Sequence, residues 1–131
     1  MILVVDDNTG NQYVAKVVLE LFGLQAHVVE NGEEALRAAE SEQYELILMD
    51  CRMPILDGYE ATLAIRRAEE IKGKHTPIVG VTACALEGDR EKCLAAGMDD
   101  YLAKPITVDG FKSMLKRWIP TLKERSAQES A

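Results

Sequence analysis

Short aliphatic runs alternate along this chain with longer stretches whose apolar residues recur every three or four positions. The runs are Ile2 to Val5, Ala26 to Val29, Leu46 to Met49 and Ile78 to Val81, with a short fifth near Tyr101-Leu102. Strands separated by helical segments pair in parallel, because each crossover helix returns the chain to the same edge of the sheet. The runs are near-continuously apolar instead of alternating, which is the pattern of strands covered by helices on both faces. The predicted architecture is therefore α/β, a doubly wound five-stranded parallel sheet with about five helices.

The helical stretches carry their own punctuation. Val14, Val17, Val18 and Leu21 share one face of a first helix, which Gly23 closes; Asn31 with Glu34 forms a capping box ahead of Ala35, Leu36 and Ala39. Asp57 with Glu60 is a second capped start, followed at helical spacing by Ala61, Ala64, Ile65 and Ala68. A fourth helix covers about Glu87 to Ala96 before Gly97, and a fifth presents Phe111, Met114, Leu115 and Trp118 before Pro120. The remainder, Thr121 to Ala131, has mixed charge and little apolar content, the composition of a frayed end or linker.

Composition excludes several functions. Fifteen Lys and Arg against twenty-two Asp and Glu give a net charge of −7, so no basic field draws a nucleic-acid backbone and direct nucleic-acid binding is not expected. No stretch approaches the ~20 apolar residues that span a bilayer. The opening Met1-Ile2-Leu3-Val4-Val5 runs into Asp6-Asp7 without a basic flank or cleavage site, so no membrane insertion and a cytoplasmic location are expected. Cys51, Cys84 and Cys93 are odd in number and form no C-x-x-C pair, which fits reduced thiols. His27 and His75 stand alone, without the company a zinc site needs.

Binding groups in a parallel α/β sheet gather at the carboxyl ends of the strands. Here the first strand ends in Asp6-Asp7, the third in Asp50 and the fourth in Thr82-Ala83, while Lys104-Pro105 follows the fifth. Singly, each residue is explained as a turn, a cap or a solvated charge. Together, three carboxylates repel one another and call for a compensating cation. Mg²⁺ suits them, being a hard ion that takes oxygen ligands and keeps several waters. A carboxylate beside such an ion can attack phosphorus and form an acyl phosphate, and Asp50, central in the sheet, is the best placed to do so. Lys104 and the Thr82 hydroxyl would neutralise and position the transferred group.

Val4-Val5-Asp6-Asp7-Asn8, the segment Leu48 to Gly58 (Leu-Met-Asp-Cys-Arg-Met-Pro-Ile-Leu-Asp-Gly), Val81-Thr82-Ala83 and Tyr101-Leu102-Ala103-Lys104-Pro105 together resemble the receiver domain of two-component response regulators. The resemblance runs from about Ile2 to Ile119, giving a receiver domain over 1–119 and a tail or linker over 120–131. Met49-Asp50-Cys51, Thr76-Pro77-Ile78, the run Ala96 to Tyr101 and Trp118 are most similar to receivers of hybrid sensor histidine kinases. The resemblance implies the flavodoxin-like strand order 2-1-3-4-5. It implies that Asp50 is the phosphoacceptor, that Asp7 and Asp50 bind Mg²⁺ directly with Asp6 mainly through water, and that the backbone carbonyl of Arg52 completes the protein ligands. Lys104 would contact the phosphoryl group through a chain with a cis Lys104-Pro105 bond, and Thr82 with Tyr101 would form the switch pair. On phosphorylation the Thr82 hydroxyl would approach the new oxygens and Tyr101 would turn into the vacated space.

The partners implied are a histidine kinase dimerisation domain bearing phosphohistidine, and a histidine-phosphotransfer domain. A cytoplasmic receiver is compatible with a membrane-anchored parent kinase. The resemblance favours the C-terminal part of a hybrid sensor histidine kinase over a free-standing single-domain response regulator, and a relay or switch over a turnover enzyme. A haloacid-dehalogenase-type phosphohydrolase needs Asp-x-Asp, yet Arg52 stands two after Asp50 and no cap domain fits the chain. No Gly-x-Gly-x-x-Gly follows the first strand, which excludes dinucleotide binding. A receiver kept only as a binding module would have lost part of the acidic pocket, the Thr or the Lys, and none is missing. In the family, the residues two after the phosphoacceptor and two after the switch Thr influence hydrolytic water; here they are Arg52 and Cys84, neither a carboxylate nor an amide. The phosphorylated domain is thus expected to keep its label well beyond seconds in Mg²⁺, as a filter-binding time course would show.

Overall fold

A computed structural model describes residues 1–51, 53, 56–82, 87–104 and 107–119. Ten elements alternate: β1 (Ile2–Val5), α1 (Thr9–Leu21), β2 (Ala26–Val29), α2 (Gly32–Ser41), β3 (Leu46–Asp50), α3 (Gly58–Lys72), β4 (Ile78–Thr82), α4 (Glu87–Ala95), β5 (Asp100–Ala103) and α5 (Val108–Trp118). The sheet order is β2-β1-β3-β4-β5, and every pairing is parallel. The parallel pairing matches the expectation from the apolar runs, and the order matches the one implied by the resemblance. β3 and β4 each extend one residue further than their apolar runs, so Asp50 and Thr82 are the last residues of strands, held in ladder register.

The residues of β1, β3 and β4 are all buried, and their side chains divide between two cores. Ile2, Val4, Leu46, Leu48 and Val79 face α1 and α5, where they pack against Leu19, Phe111 and Leu115. Leu3, Val5, Ile47, Met49 and Ile78 face the other way, against Ala35 of α2, Ala61 and Ile65 of α3 and Cys93 of α4. Two covered faces explain why the central strands need no polar alternation. No helix among the described residues is long and apolar enough to cross a membrane.

Caps fall where their residue types favour them. Asn31 accepts from the Glu34 amide at 2.9 Å and Asp57 from the Glu60 amide at 2.9 Å, while Gly23, Gly73 and Gly97 follow helices with positive φ. The predicted face of α1 is rotated in the structure. Ala15, Val18 and Leu19 are buried, whereas Val14 and Leu21 are 45% and 70% exposed. The apolar arc of α1 is broad enough that spacing alone admits two stripes, and the small Ala15 sets the one that lies closest to the sheet.

At the amino edge of the sheet one side chain ties several elements together. Arg66 of α3 donates to the Gly97 carbonyl at 2.9 Å, the Thr76 carbonyl at 2.8 Å, the Asp99 carboxylate at 2.7 Å and Glu69 one turn along. Asp99 in turn accepts from the Ile78 amide at 2.8 Å and bonds the His75 ring at 2.7 Å. His75 thus serves this network, and His27 bonds the Tyr44 hydroxyl at 2.6 Å. Neither histidine belongs to a metal-ligating cluster among the described residues.

Two residues next to the carboxyl end of β3 have sharp steric or ionic requirements. A Cβ at Gly58 would collide with the Asp50 carbonyl and lie 2.9 Å from Cys51 Cα, so α3 can start this close to the strand only with glycine there. Gly58→Ala is expected to cost about 2 kcal/mol as an overpacking change, read as a lower urea midpoint at unchanged slope. Cys51 is 1% exposed, and burial first, then the nearby Cys93 sulfur, push its thiol from 9.0 up to about 12 against an opposing hydrogen bond from Tyr59. Because the folded chain holds this proton more tightly than the unfolded one, the resulting stability is complete below about pH 9 and is lost as pH rises toward 12. Urea midpoints measured across that window should fall, and fall less steeply in Cys51→Ala.

Candidate functional site

The carboxyl ends of β1, β3 and β4 converge because the strands are in register: Val5 pairs with Met49, and Asp50 with Val81. The residues just beyond or at those ends are Asp6, Asp7, Asp50 and Thr82, and all four arrive at one edge. Asp6 and Asp50 are buried at 6% and 5% exposure, while Asp7 is exposed. One carboxylate oxygen from each of the three lies within 4.8 Å of the others.

Local hydrogen bonds fix this geometry. The Asn8 amide donates to Asp6 Oδ1 at 2.9 Å, and Gln12 Nε2 donates to the Asp6 carbonyl at 2.6 Å. Asn8 caps α1 by accepting from the Asn11 amide at 2.9 Å. Capping α1 is therefore the work of Asn8, and the acidic pair is not needed as the cap.

Lys104 enters from the end of β5. Its amide donates to the Thr82 carbonyl at 2.7 Å, continuing the β4–β5 ladder past Ala103. Its ammonium lies 3.3 Å from Asp50 Oδ1 and 3.8 Å from Asp6 Oδ2. Among the described residues, the three clustered carboxylates have one ammonium beside them, an excess of two negative charges. Two carboxylates near 5 Å repel by about 3 kcal/mol at the effective dielectric of such a site. A divalent cation has the charge to balance that excess, and three oxygen donors this close fit one.

Asp7, Asp50 and Lys104 border a cavity of about 250 Å³ lined also by Asn8, Asn11, Cys51 and Thr82. Asp50, Lys104 and Thr82 thus share one solvent-connected space large enough for a phosphoryl group and its waters. Tyr101 is half-buried on β5, opposite Gly80, and packs against the core on the α2, α3 and α4 side of the sheet. That places it beside β4, two ladder positions before Thr82. Arg52, Cys84 and the Lys104-Pro105 bond's proline lie outside the described residues, so the Arg52 carbonyl, the lifetime positions and the cis bond have no counterpart here. Asn8 and Asn11 were not singled out by their chemistry; their signal is an N-cap spacing directly after the acidic pair. The role of Gly58 was also missed, since its requirement comes from the Asp50 carbonyl eight residues back.

Comparison with known proteins agrees with this geometry. The family model of the response regulator receiver domain matches residues 2–116. Hybrid signal transduction histidine kinase G of Dictyostelium discoideum is 42% identical over 121 residues, an alignment that covers 91% of this chain and 4% of that protein. The chain thus spans a small fraction of the length of that relative. Among solved structures, the receiver domain of the sensor histidine kinase PA1611 from Pseudomonas aeruginosa PAO1, with a magnesium ion coordinated in its active site cleft, is 50% identical. It superposes with a TM-score of 0.82, covering 91% of this chain and 96% of that one. A chain in the co-crystal of the Saccharomyces cerevisiae histidine phosphotransfer signaling protein Ypd1 with the receiver domain of its downstream response regulator Ssk1 gives a TM-score of 0.85 at 30% identity, covering 89% and 86%. With the sheet order, the clustered carboxylates, the lysine at the end of β5 and the family match over 2–116 in agreement, the chain belongs to the response regulator receiver domain family.

Proposed function

We propose that this receiver domain accepts a phosphoryl group from phosphohistidine onto Asp50 and relays it or switches partner binding. The observation that carries this reading is the buried Asp50 carboxylate 3.3 Å from the Lys104 ammonium, at the edge of a polar cavity. An Asp50 oxygen attacks phosphorus, the phosphorus–nitrogen bond breaks, and the imidazole nitrogen leaves with the electron pair. Lys104 holds positive charge against the transferred oxygens, and the Thr82 hydroxyl donates to them. Tyr101 then repacks beside β4, which carries the local charge change to the α4 side of the sheet.

The donor set fits Mg²⁺. Asp7 and Asp50 would hold it directly, Asp6 through water, with the Arg52 carbonyl as a further ligand; when bound, it would supply charge neutralisation at the phosphoryl oxygens. The residues that bind, orient and exclude are the chain's own.

The domain extends over 1–119, with 120–131 a tail or linker, and it acts in the cytoplasm as part of a hybrid sensor histidine kinase. It catalyses its own phosphorylation and does not turn over substrate. The phosphodonor is the kinase dimerisation domain, and a histidine-phosphotransfer domain is the relay partner. Tyr13 and Val14, 70% and 45% exposed on α1, whose Asn11 lines the cavity, provide an apolar surface for that partner.

Incubation with a small phosphoramidate and Mg²⁺ should give an acid-labile, hydroxylamine-sensitive label in the parent chain. Asp50→Ala or removal of Mg²⁺ by a chelator should reduce labelling to background. Retention of that label in Asp50→Ala would overturn the assignment.

A further inference from the structure

Among the described residues, two carboxamides line the phosphoryl cavity, those of Asn8 and Asn11. They reach it from the β1 side of Asp50, opposite Thr82 and Lys104, because β1 and β4 flank β3 in the sheet. Their side chains are placed differently. Asn8 Oδ1 accepts from the Asn11 amide at 2.9 Å and is spent in capping α1. Asn11 takes part in that cap only through its backbone, and its half-buried carboxamide has no hydrogen-bond partner among the described residues.

Hydrolysis of an acyl phosphate at Asp50 sets a specific demand on the lining. The attacking water has to turn a lone pair toward phosphorus, which requires an acceptor for its hydrogens. The Lys104 ammonium has donors only, the Asn8 oxygen is held by the cap, and burial keeps the Cys51 thiol protonated. Asp7 belongs with the cation and the Thr82 hydroxyl with the phosphoryl oxygens. The Asn11 carboxamide is left, with an oxygen that accepts and an NH₂ that can donate to a phosphoryl oxygen. At the ~30 Å³ that a water occupies in the liquid, a cavity of about 250 Å³ holds the phosphoryl group and a few waters, so a water beside phosphorus is close to both walls.

We propose that Asn11 is a positioning residue for hydrolysis of the phosphoryl group and thereby sets how long the phosphorylated state lasts. Asn11 Oδ1 accepts a hydrogen bond from the attacking water, whose oxygen bonds to phosphorus. The phosphorus–oxygen bond to Asp50 breaks, and the electron pair returns to the carboxylate. Both water hydrogens leave on dihydrogen phosphate, so a neutral amide that takes up no proton suffices. This role presupposes Asp50 as the phosphoacceptor.

The full chain, Asn11→Ala and Asn11→Leu are to be labelled with a small phosphoramidate in Mg²⁺, freed of donor, and followed for loss of label. Leu keeps the size and branching of the side chain without its polar atoms. Both variants keep the backbone amide that caps α1, so their urea midpoints should stay close to that of the unsubstituted chain. In both, hydrolysis should slow about tenfold, the worth of one hydrogen bond in the transition state, while the rate of labelling is unchanged. Hydrolysis that is not slowed in either variant, or a comparable fall in labelling, would overturn the role of Asn11 and leave Asp50 as the acceptor. No label in the unsubstituted chain would remove Asp50 and Asn11 together.

Discussion

Repulsion among three carboxylates is the constraint to which the rest of the molecule answers. Oxygens of Asp6, Asp7 and Asp50 within 4.8 Å of one another will spread apart unless the backbone carrying them is fixed. The parallel ladder does this. Asp50 is bound into register with Val81, and β1 sits between β2 and β3, so the acidic pair leaves the sheet from its interior. Burial of both sheet faces then stabilises the register, because a one-residue slip would turn Leu3, Val5, Ile47 and Met49 out of one core and into the other. Hydrophobic packing thereby holds an electrostatically unfavourable cluster in place, and Lys104 offsets part of the repulsion locally.

The fold was largely legible in the sequence because its signals are local. Continuous apolarity in β1, β3 and β4 reports two covered faces without reference to any other segment, and the caps at Asn31 and Asp57 are set within four residues. The stripe of α1 was not legible, since Val14, Ala15, Val17, Val18 and Leu19 are all apolar and only the approach to the sheet chooses among them. Asp6, Asp7 and Asp50 could be grouped once strands were assumed parallel, because that topology places all their strand ends on one edge. The Cys51–Cys93 contact and the collision that forbids a side chain at Gly58 depend on distances across elements, and nothing in the spacing announces them.

The sheet's two edges also differ in how their groups are satisfied. At the carboxyl edge, like charges share a cavity and invite a ligand. At the amino edge, opposite charges are closed on one another: Arg66 spans Glu69 and Asp99, and it donates as well to the Gly97 and Thr76 carbonyls. Both edges are polar and partly buried, but only the first, among the described residues, opens its carboxylates onto a cavity.

The Arg66 hydrogen bond to Gly97 gives α4 the mechanics of a lever. Its C-terminal end is held to α3 and to the start of β5, whereas its first residue, Glu87, lies toward the edge where Asp50 and Thr82 sit. With one end fixed at Gly97, any displacement of α4 is largest where the helix begins and smallest where it ends. A binding partner that grips the start of α4 would therefore read an amplified signal, and one that grips its end would read almost none.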